Sequence, residues 1–190
     1  IGRGLGHQVR VRLVTDPGVF ALYTVSQVRD ETSVSTVRMG RDGRERLGVT
    51  EPFSAVVDSV VPRRRLSDAD AARLGEFVER LTDDGTHRGL IVIAPHGGDI
   101  EAHTDSQAER VAARLSAHGV SAWRCMGFGG AGGGAWRRLH ITSTDLHEAS
   151  FPALASIIDR GFAFAVAFHG FTGDEILVGG GAPFRLKAEI

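Results

Sequence analysis

The sequence is short of several features, and each shortage excludes a class of protein. Its single cysteine, Cys125, excludes both an internal disulfide framework and a cysteine-rich metal site. Its net charge of −1 provides no overall field that would attract nucleic acid or an anionic membrane. No apolar run approaches the roughly 20 residues that a membrane-spanning helix needs. We therefore expect a soluble protein, compatible with secretion or release, that binds neither nucleic acid nor membrane.

The first third of the chain has the pattern of β-structure. Val9, Val11 and Leu13 alternate with arginines, as in a strand that is buried on one face. The similarly patterned segments are 8–14, 20–28 and 32–39, and a turn is expected at 41–44. This pattern predicts that residues 1–62 form a small N-terminal antiparallel β layer, whose function the sequence does not indicate.

From Leu66 onward, predicted strands and helices alternate. Predicted helices are 67–81, capped by Ser67 and stopped at Gly85; 104–118, capped by Thr104 and Gln107; and 150–160, with Pro152 in its first turn. Predicted strands are 91–95, 120–125 and 162–168. This order is typical of an α/β fold with a mostly parallel or mixed sheet flanked by helices, and we assign residues 63–190 to this core.

Two apolar runs each end in a histidine followed by a glycine. Residues 91–95 lead into His96, and residues 162–168 lead into His169. Short apolar runs of this kind are typical of interior strands of a parallel sheet, and ligands bind at the carboxyl ends of such strands. The sequence therefore predicts that both imidazoles lie at the functional edge of the sheet.

Glu101 follows His96 by five residues across two glycines. This spacing suits a turn that brings a carboxylate back toward an imidazole, and two histidines with one glutamate form a catalytic type of zinc site with one open position. Asp99 and His103 flank Glu101, and the spacing alone leaves them as alternative third ligands.

Three motifs in order resemble those of the poly-γ-glutamate hydrolase family, whose first described members are phage enzymes. They are His-Gly-Gly-Asp-Ile-Glu at 96–101, His-Ile-Thr-Ser-Thr-Asp at 140–145 and Phe-His-Gly at 168–170. The resemblance runs from Leu90 to Pro183, and the family is similar in fold to zinc carboxypeptidases. It implies that His96, Glu101 and His169 bind zinc and that the protein hydrolyses γ-glutamyl amide bonds.

A carboxypeptidase-like mechanism also requires a general base beside the zinc-bound water, usually a glutamate on a late strand. Here a predicted strand at 175–178 is followed by a glycine-rich turn and a helix that begins at Phe184, so this late strand is missing and we expect a truncated core. Glu175 is the first candidate base within the chain, with Asp174 and Asp145 as alternatives.

The segment 127–134 is rich in glycine but lacks the ending of a phosphate-binding loop, so we interpret it as a mobile loop over the site. Arg124, Arg137 and Arg138 are candidates to grip the carboxylates of a glutamate polymer, because guanidinium groups suit carboxylates. His140 could donate to the substrate or order the metal ligands.

Two other functions remain open at this level. The protein could be another carboxypeptidase-like zinc amidohydrolase, acting on N-acyl amino acids or peptides. It could also be a polymer-binding module that holds a metal and has little catalytic activity, which would fit a missing general base.

Overall fold

The computed structural model describes residues 4–29, 35–130 and 133–189. Its strands are β1 (Gln8–Leu13), β2 (Phe20–Thr24), β3 (Ala55–Asp58), β4 (Phe77–Thr82), β5 (Leu90–Gly98), β6 (Val120–Gly127) and β7 (Phe164–Ala167). Its α-helices are α1 (Arg41–Arg46), α2 (Asp68–Leu74), α3 (Thr104–Arg114), α4 (Ala135–Leu139), α5 (Pro152–Ala155) and α6 (Phe184–Lys187). No helix in these ranges is long and apolar enough to cross a bilayer.

The N-terminal strands form an antiparallel sheet in the order β2-β1-β3, as the alternating pattern predicts. Val11 of β1 pairs with Ala21 of β2 and with Val57 of β3. The third strand differs from the prediction. Residues 35–39 are not a strand, residues 30–34 lie outside the described ranges, and β3 takes that place in the sheet.

Two local predictions in this layer are also wrong. The strand predicted over 20–28 ends at Thr24, and 41–44 lie in helix α1 rather than in a turn. The helix is short and charged, with Asp42 in its first turn and Arg44 and Arg46 in its last, an order that complements the helix dipole.

The second sheet has the order β4-β6-β5-β7, and it confirms the α/β prediction. β5 runs parallel to β6 and β7, whereas β4 runs antiparallel to β6, so the sheet is mixed. Helix α3 covers one face, where its Ala108 and Ala112 pack against Val92 and Ala122. The other face carries a larger core that Trp123 shares with side chains of the N-terminal sheet.

The helix predicted over 67–81 is wrong in its second half. Helix α2 ends at Leu74, Gly75 caps it in the left-handed conformation (φ 67°), and residues 77–82 form β4. Phe77 and Val78 are both buried, but in two different clusters, because successive side chains of a strand point to opposite faces. A helical stripe would have placed them on one face.

The predicted interior strand at 162–168 is an edge strand. β7 pairs with β5 alone among the described strands, and Phe164 and Val166 are 61% and 40% exposed. The helix predicted over 150–160 is a single α-helical turn, α5, followed by a 3₁₀ turn at Ile158–Arg160. Residues 175–178 are irregular rather than a strand, whereas the helix expected from Phe184 is present as α6.

Candidate metal centre

A bulge in β5 delivers His96 to the carboxyl edge of the sheet. Ala94 pairs with Arg124 of β6, but Gly97 pairs with Met126, so β5 has one more residue than β6 between these pairs. Such an extra residue bends the strand and changes the direction of a side chain. Gly97 and Gly98 allow this bend, since Gly98 has φ 71° and a Cβ there would lie 2.7 Å from the carbonyl oxygen of Gly127.

The buried ring of His96 has partners on both nitrogens. Nε2 lies 2.7 Å from the carbonyl oxygen of Ile141, and Nδ1 lies 3.1 Å from Oε1 of Glu101. A carbonyl oxygen only accepts, so Nε2 carries the hydrogen and donates it to Ile141. In the neutral ring the lone pair of Nδ1 then faces a carboxylate oxygen, and two acceptors at this distance are favourable with a cation between them.

Glu101 lies in the turn that follows β5 and faces both predicted histidines. Its backbone N–H donates to the carbonyl oxygen of His96 at 2.7 Å, which closes the turn. Its Oε2 accepts from the backbone N–H of Gly170 at 2.8 Å and lies 3.4 Å from Nδ1 of His169. The structure therefore places Glu101 between the two predicted histidines, although the group whose ligand atoms all lie within 4.8 Å of one another contains His140 in place of His169.

His140 lies within the same cluster. One potential ligand atom from each of His96, Glu101 and His140 lies within 4.8 Å of the others. The His140 ring is 4.3 Å from the ring of His96 and is stacked on Trp136 at 4.0 Å. Burial, together with the neighbouring His96, lowers the pKa of His140, so its neutral form is favoured. A neutral imidazole can bind a metal or donate a hydrogen bond.

The alternative third ligands lie elsewhere. Asp99 is exposed, and its Oδ2 accepts from the backbone N–H of Gly129, which fastens the glycine-rich loop. His103 is exposed and has φ 72° at the N-cap position of α3, without a side-chain cap. The predicted capping box is therefore wrong, and the hydroxyl of Thr104 donates instead to the carbonyl oxygen of Glu101. Of these three candidate ligands, Glu101 is the buried one.

A second group of potential ligands consists of Asp83, Asp84 and His87. Both guanidinium Nη atoms of Arg160 donate to Asp83, and Asp84 accepts from His87. Arg160 already neutralises the charge of Asp83, whereas the ion-pair partners of Glu101 among the described residues are histidines, so the cluster at His96 is the better candidate for a metal.

The three predicted substrate arginines have different surroundings. Arg124 is buried and forms an ion pair with Glu109 of α3 at 3.0 Å. Arg138 is buried and donates to the carbonyl oxygens of Phe20, Gly129 and Gly133, at 2.9 to 3.0 Å. The structure therefore gives both side chains contacts within the fold.

Arg137 differs from the other two. Its side chain is 61% exposed and has a loose ion pair of 3.6 Å with Glu45. It lies next to Trp136, which stacks on His140, so Arg137 is the predicted arginine that is both accessible and close in sequence to His140.

The predicted general bases are at the surface. Glu175 and Asp174 lie in the exposed, irregular segment that follows His169, and Asp145 is exposed in a 3₁₀ turn. The role of Glu175 stays a prediction.

Three contributors to the site were not predicted from the sequence: the carbonyl oxygen of Ile141, the N–H of Gly170, and Arg46, which donates to the carbonyl oxygen of His140. Backbone groups have no signature in a sequence. Arg46 is 94 residues from His140, so no local pattern links the two.

The model of the family described as poly-gamma-glutamate hydrolase matches residues 73–190, more than half of the chain. The chain belongs to this family. The match includes all three motifs that carry the resemblance, and it leaves the N-terminal sheet outside. No curated protein and no solved structure matches the chain. Membership of a hydrolase family supports an enzyme that acts on a glutamate polymer.

Proposed function

We propose that the protein is a zinc-dependent hydrolase of the amide bonds in γ-linked glutamate polymers. The observation that carries this proposal is the position of Glu101 between His96 and His169, with Oε1 3.1 Å from one Nδ1 and Oε2 3.4 Å from the other. Two imidazoles and one carboxylate are a donor set that suits zinc and leaves a position open.

Two of these side chains, His96 and Glu101, are oriented by backbone groups of the protein. The Nε2–H of His96 is held by the carbonyl oxygen of Ile141, so Nδ1 is the nitrogen directed at the centre. The N–H of Gly170 holds Glu101. Such outer contacts fix the direction of metal ligands and tune their basicity, and the donor set therefore fits zinc. When bound, zinc supplies a Lewis acid and lowers the pKa of a coordinated water to about 7.

The other residues bind and orient the substrate. His140, favoured in its neutral form, can donate a ring N–H to an oxygen atom at the centre. Arg137, exposed beside the Trp136–His140 stack, suits a carboxylate of the polymer. We assign Arg124 and Arg138 a weaker part in binding, because both are buried and paired within the fold. Glu175 is the carboxylate that we propose as the proton acceptor.

Zinc content tests the metal centre directly. We expect about one zinc per purified molecule, and loss of that zinc in His96→Ala, Glu101→Ala and His169→Ala, because one missing ligand of three cripples the site. Asp99→Ala and His103→Ala are matched controls from the same turn and should keep the metal. Full zinc occupancy in Glu101→Ala would overturn the ligand assignment.

Turnover tests the reaction. We expect hydrolysis of γ-linked glutamate oligomers and none of α-linked ones. Cleavage of α-linked oligomers or N-acyl amino acids would instead support another zinc amidohydrolase. Zinc and polymer binding without turnover would support a binding module. Glu175→Gln should abolish turnover and leave the zinc content unchanged, and unchanged turnover would exclude Glu175 as the base.

A further inference from the structure

The N-terminal sheet, which lies outside the family match, touches the candidate metal centre through α1. Nε of Arg46 donates to the carbonyl oxygen of Arg137 at 2.7 Å. Its Nη2 donates to the carbonyl oxygens of Arg138 at 3.1 Å and of His140 at 3.3 Å. The last carbonyl groups of an α-helix lack partners within the helix, so Arg46 satisfies the carboxyl end of α4.

Arg46 is itself held in place by the N-terminal sheet. Its guanidinium lies 5.0 Å from the centre of the Tyr23 ring, within the range of a cation–π contact. The hydroxyl of Tyr23 donates to the carbonyl oxygen of Gly43 at 2.7 Å, which ties α1 to β2. The guanidinium group of Arg46, which forms the fork of hydrogen bonds to α4, is therefore held in a fixed position by the fold.

A second contact fastens the other side of α4 to the same sheet. Nη1 of Arg138 donates to the carbonyl oxygen of Phe20 in β2, and Nε donates to that of Gly133 in the loop before α4. Helix α4 thus has fixed contacts on both sides although it is only one and a half turns long. Helices of this length are not stable on their own, so these contacts determine where its carboxyl end points.

We propose that the N-terminal sheet, through helix α1, helps to form the candidate metal centre. Arg46 is the positioning residue that places His140. The inference rests on the proposed function, because it takes His140 to act at that centre. Without the Arg46 fork, three carbonyl groups at the end of α4 lose their donor. The stack of His140 on Trp136, and its 4.3 Å separation from the His96 ring, then lose their support.

The first test reads the position of His140 directly, without metal or substrate. An indole stacked at 4.0 Å shifts the ring protons of His140 upfield in the NMR spectrum, and His140→Gln identifies those signals by their loss. In Arg46→Ala we expect the upfield shift to disappear. Arg41→Ala is the matched control, since Arg41 lies on the same helix, is exposed and, among the described residues, pairs with Glu45 rather than with α4, and it should keep the shift.

The second test reads turnover of γ-linked glutamate oligomers. Arg46→Ala should lower kcat by about 10- to 100-fold with little change in KM, because misplacing a reacting group by about 1 Å has effects of this size. Arg46→Lys keeps the charge but loses the fork, so its kcat and its His140 shift should lie between those of Arg46→Ala and the wild type. If Arg46→Ala fails to fold, Arg46→Lys decides.

Three results would overturn the proposal. The first is an upfield shift of the His140 ring protons that is the same in Arg46→Ala as in the wild type. The second is a loss of that shift in Arg41→Ala as large as the loss in Arg46→Ala. The third is a wild-type shift together with a wild-type kcat in Arg46→Lys. A protein without zinc or turnover would contradict the proposed function, and the NMR comparison would still test whether Arg46 places His140.

Discussion

The backbone N–H of Gly170 donates a 2.8 Å hydrogen bond to Oε2 of Glu101. This bond joins the segment after β7 to the turn after β5, 69 residues apart in the sequence. The Cα atom of Gly170 also lies close to the Glu101 side chain, because a Cβ atom at Gly170 would lie 3.0 Å from both Cβ and Cγ of Glu101. Gly170 therefore holds the carboxylate and also limits where it can move.

Gly170→Ala should weaken zinc binding without unfolding the protein. The added methyl group pushes the Glu101 side chain away by a few tenths of an ångström, and disturbed outer contacts of a metal ligand typically lower affinity by about 10- to 100-fold. Zinc titration against a competing chelator measures this. Gly179→Ala is the control, since a Cβ there meets nothing within 4 Å. Equal zinc affinity in the two variants would contradict the prediction.

The gathering of the candidate ligands could be predicted from the sequence because it depends on strand direction. The two apolar runs that end in His96 and His169 do form the neighbouring parallel strands β5 and β7, and the two rings lie 5.2 Å apart. The two glycines after His96 do bend the chain so that Glu101 returns to it. These features follow from local patterns and one rule of sheet topology.

The wrong predictions have different physical reasons. Phe77 and Val78 continue a helical apolar stripe, but the left-handed cap at Gly75 ends the helix before them. The apolar character of residues 164–167 predicted a strand correctly but not its place at the edge of the sheet, because order within a sheet depends on the whole chain. The contacts of Arg46 and Arg138 with distant carbonyl groups also depend on tertiary structure.

Removing one partner of the buried ion pair between Arg10 and Glu76 should strongly destabilise the protein. Arg10 is completely buried on β1 and also donates to the carbonyl oxygen of Val61. Burial alone would raise the pKa of Glu76, but the charges and hydrogen bonds of Arg10 and Arg12 lower it, so the carboxylate is ionised. Glu76→Gln leaves Arg10 with an unneutralised buried charge, and we expect a loss of about 3 to 5 kcal/mol in the free energy of unfolding.

Urea denaturation of single and double variants checks this coupling. The double variant Arg10→Met/Glu76→Leu removes the two charges of this pair and should recover part of the lost stability, because well-packed apolar groups replace the pair while Arg12 still loses its 3.0 Å contact with Glu76. The exposed pair Arg73–Asp70 is the control, and Arg73→Ala should have little effect on stability. A double variant that is no more stable than Glu76→Gln would contradict this reasoning.

The ion pair between Asp83 and Arg160 should make stability depend on acid pH. The two guanidinium hydrogen bonds from Arg160 lower the pKa of Asp83 from 3.8 to about 2. A carboxyl group whose pKa is lower in the folded state stabilises the protein at pH values above its pKa in the unfolded state. That stabilisation is lost as the pH falls from about 4 toward 2. The stability gap between wild type and Asp83→Asn should therefore narrow across this window. A constant gap for Asp83→Asn would contradict the assignment.

The carboxylate of Glu79 should contribute as much to the stability of the core as an apolar side chain of similar size. It is buried on β4, and its Oε1 accepts from the indole N–H of Trp123 at 2.8 Å and from the N–H of Leu154 at 2.9 Å. Its Oε2 accepts from the N–H of Ala153 at 3.0 Å, so this one group caps α5 and satisfies a buried tryptophan.

Glu79→Gln replaces one acceptor with an NH₂ group that faces another donor, and it should reduce the free energy of unfolding by about 1.5 to 3 kcal/mol. Glu79→Ala removes every acceptor and should cost more, whereas Glu148→Gln, at an exposed carboxylate, should have little effect. Urea denaturation followed by tryptophan fluorescence measures all three, and a Glu79→Ala protein as stable as the wild type would show that the core does not depend on this carboxylate.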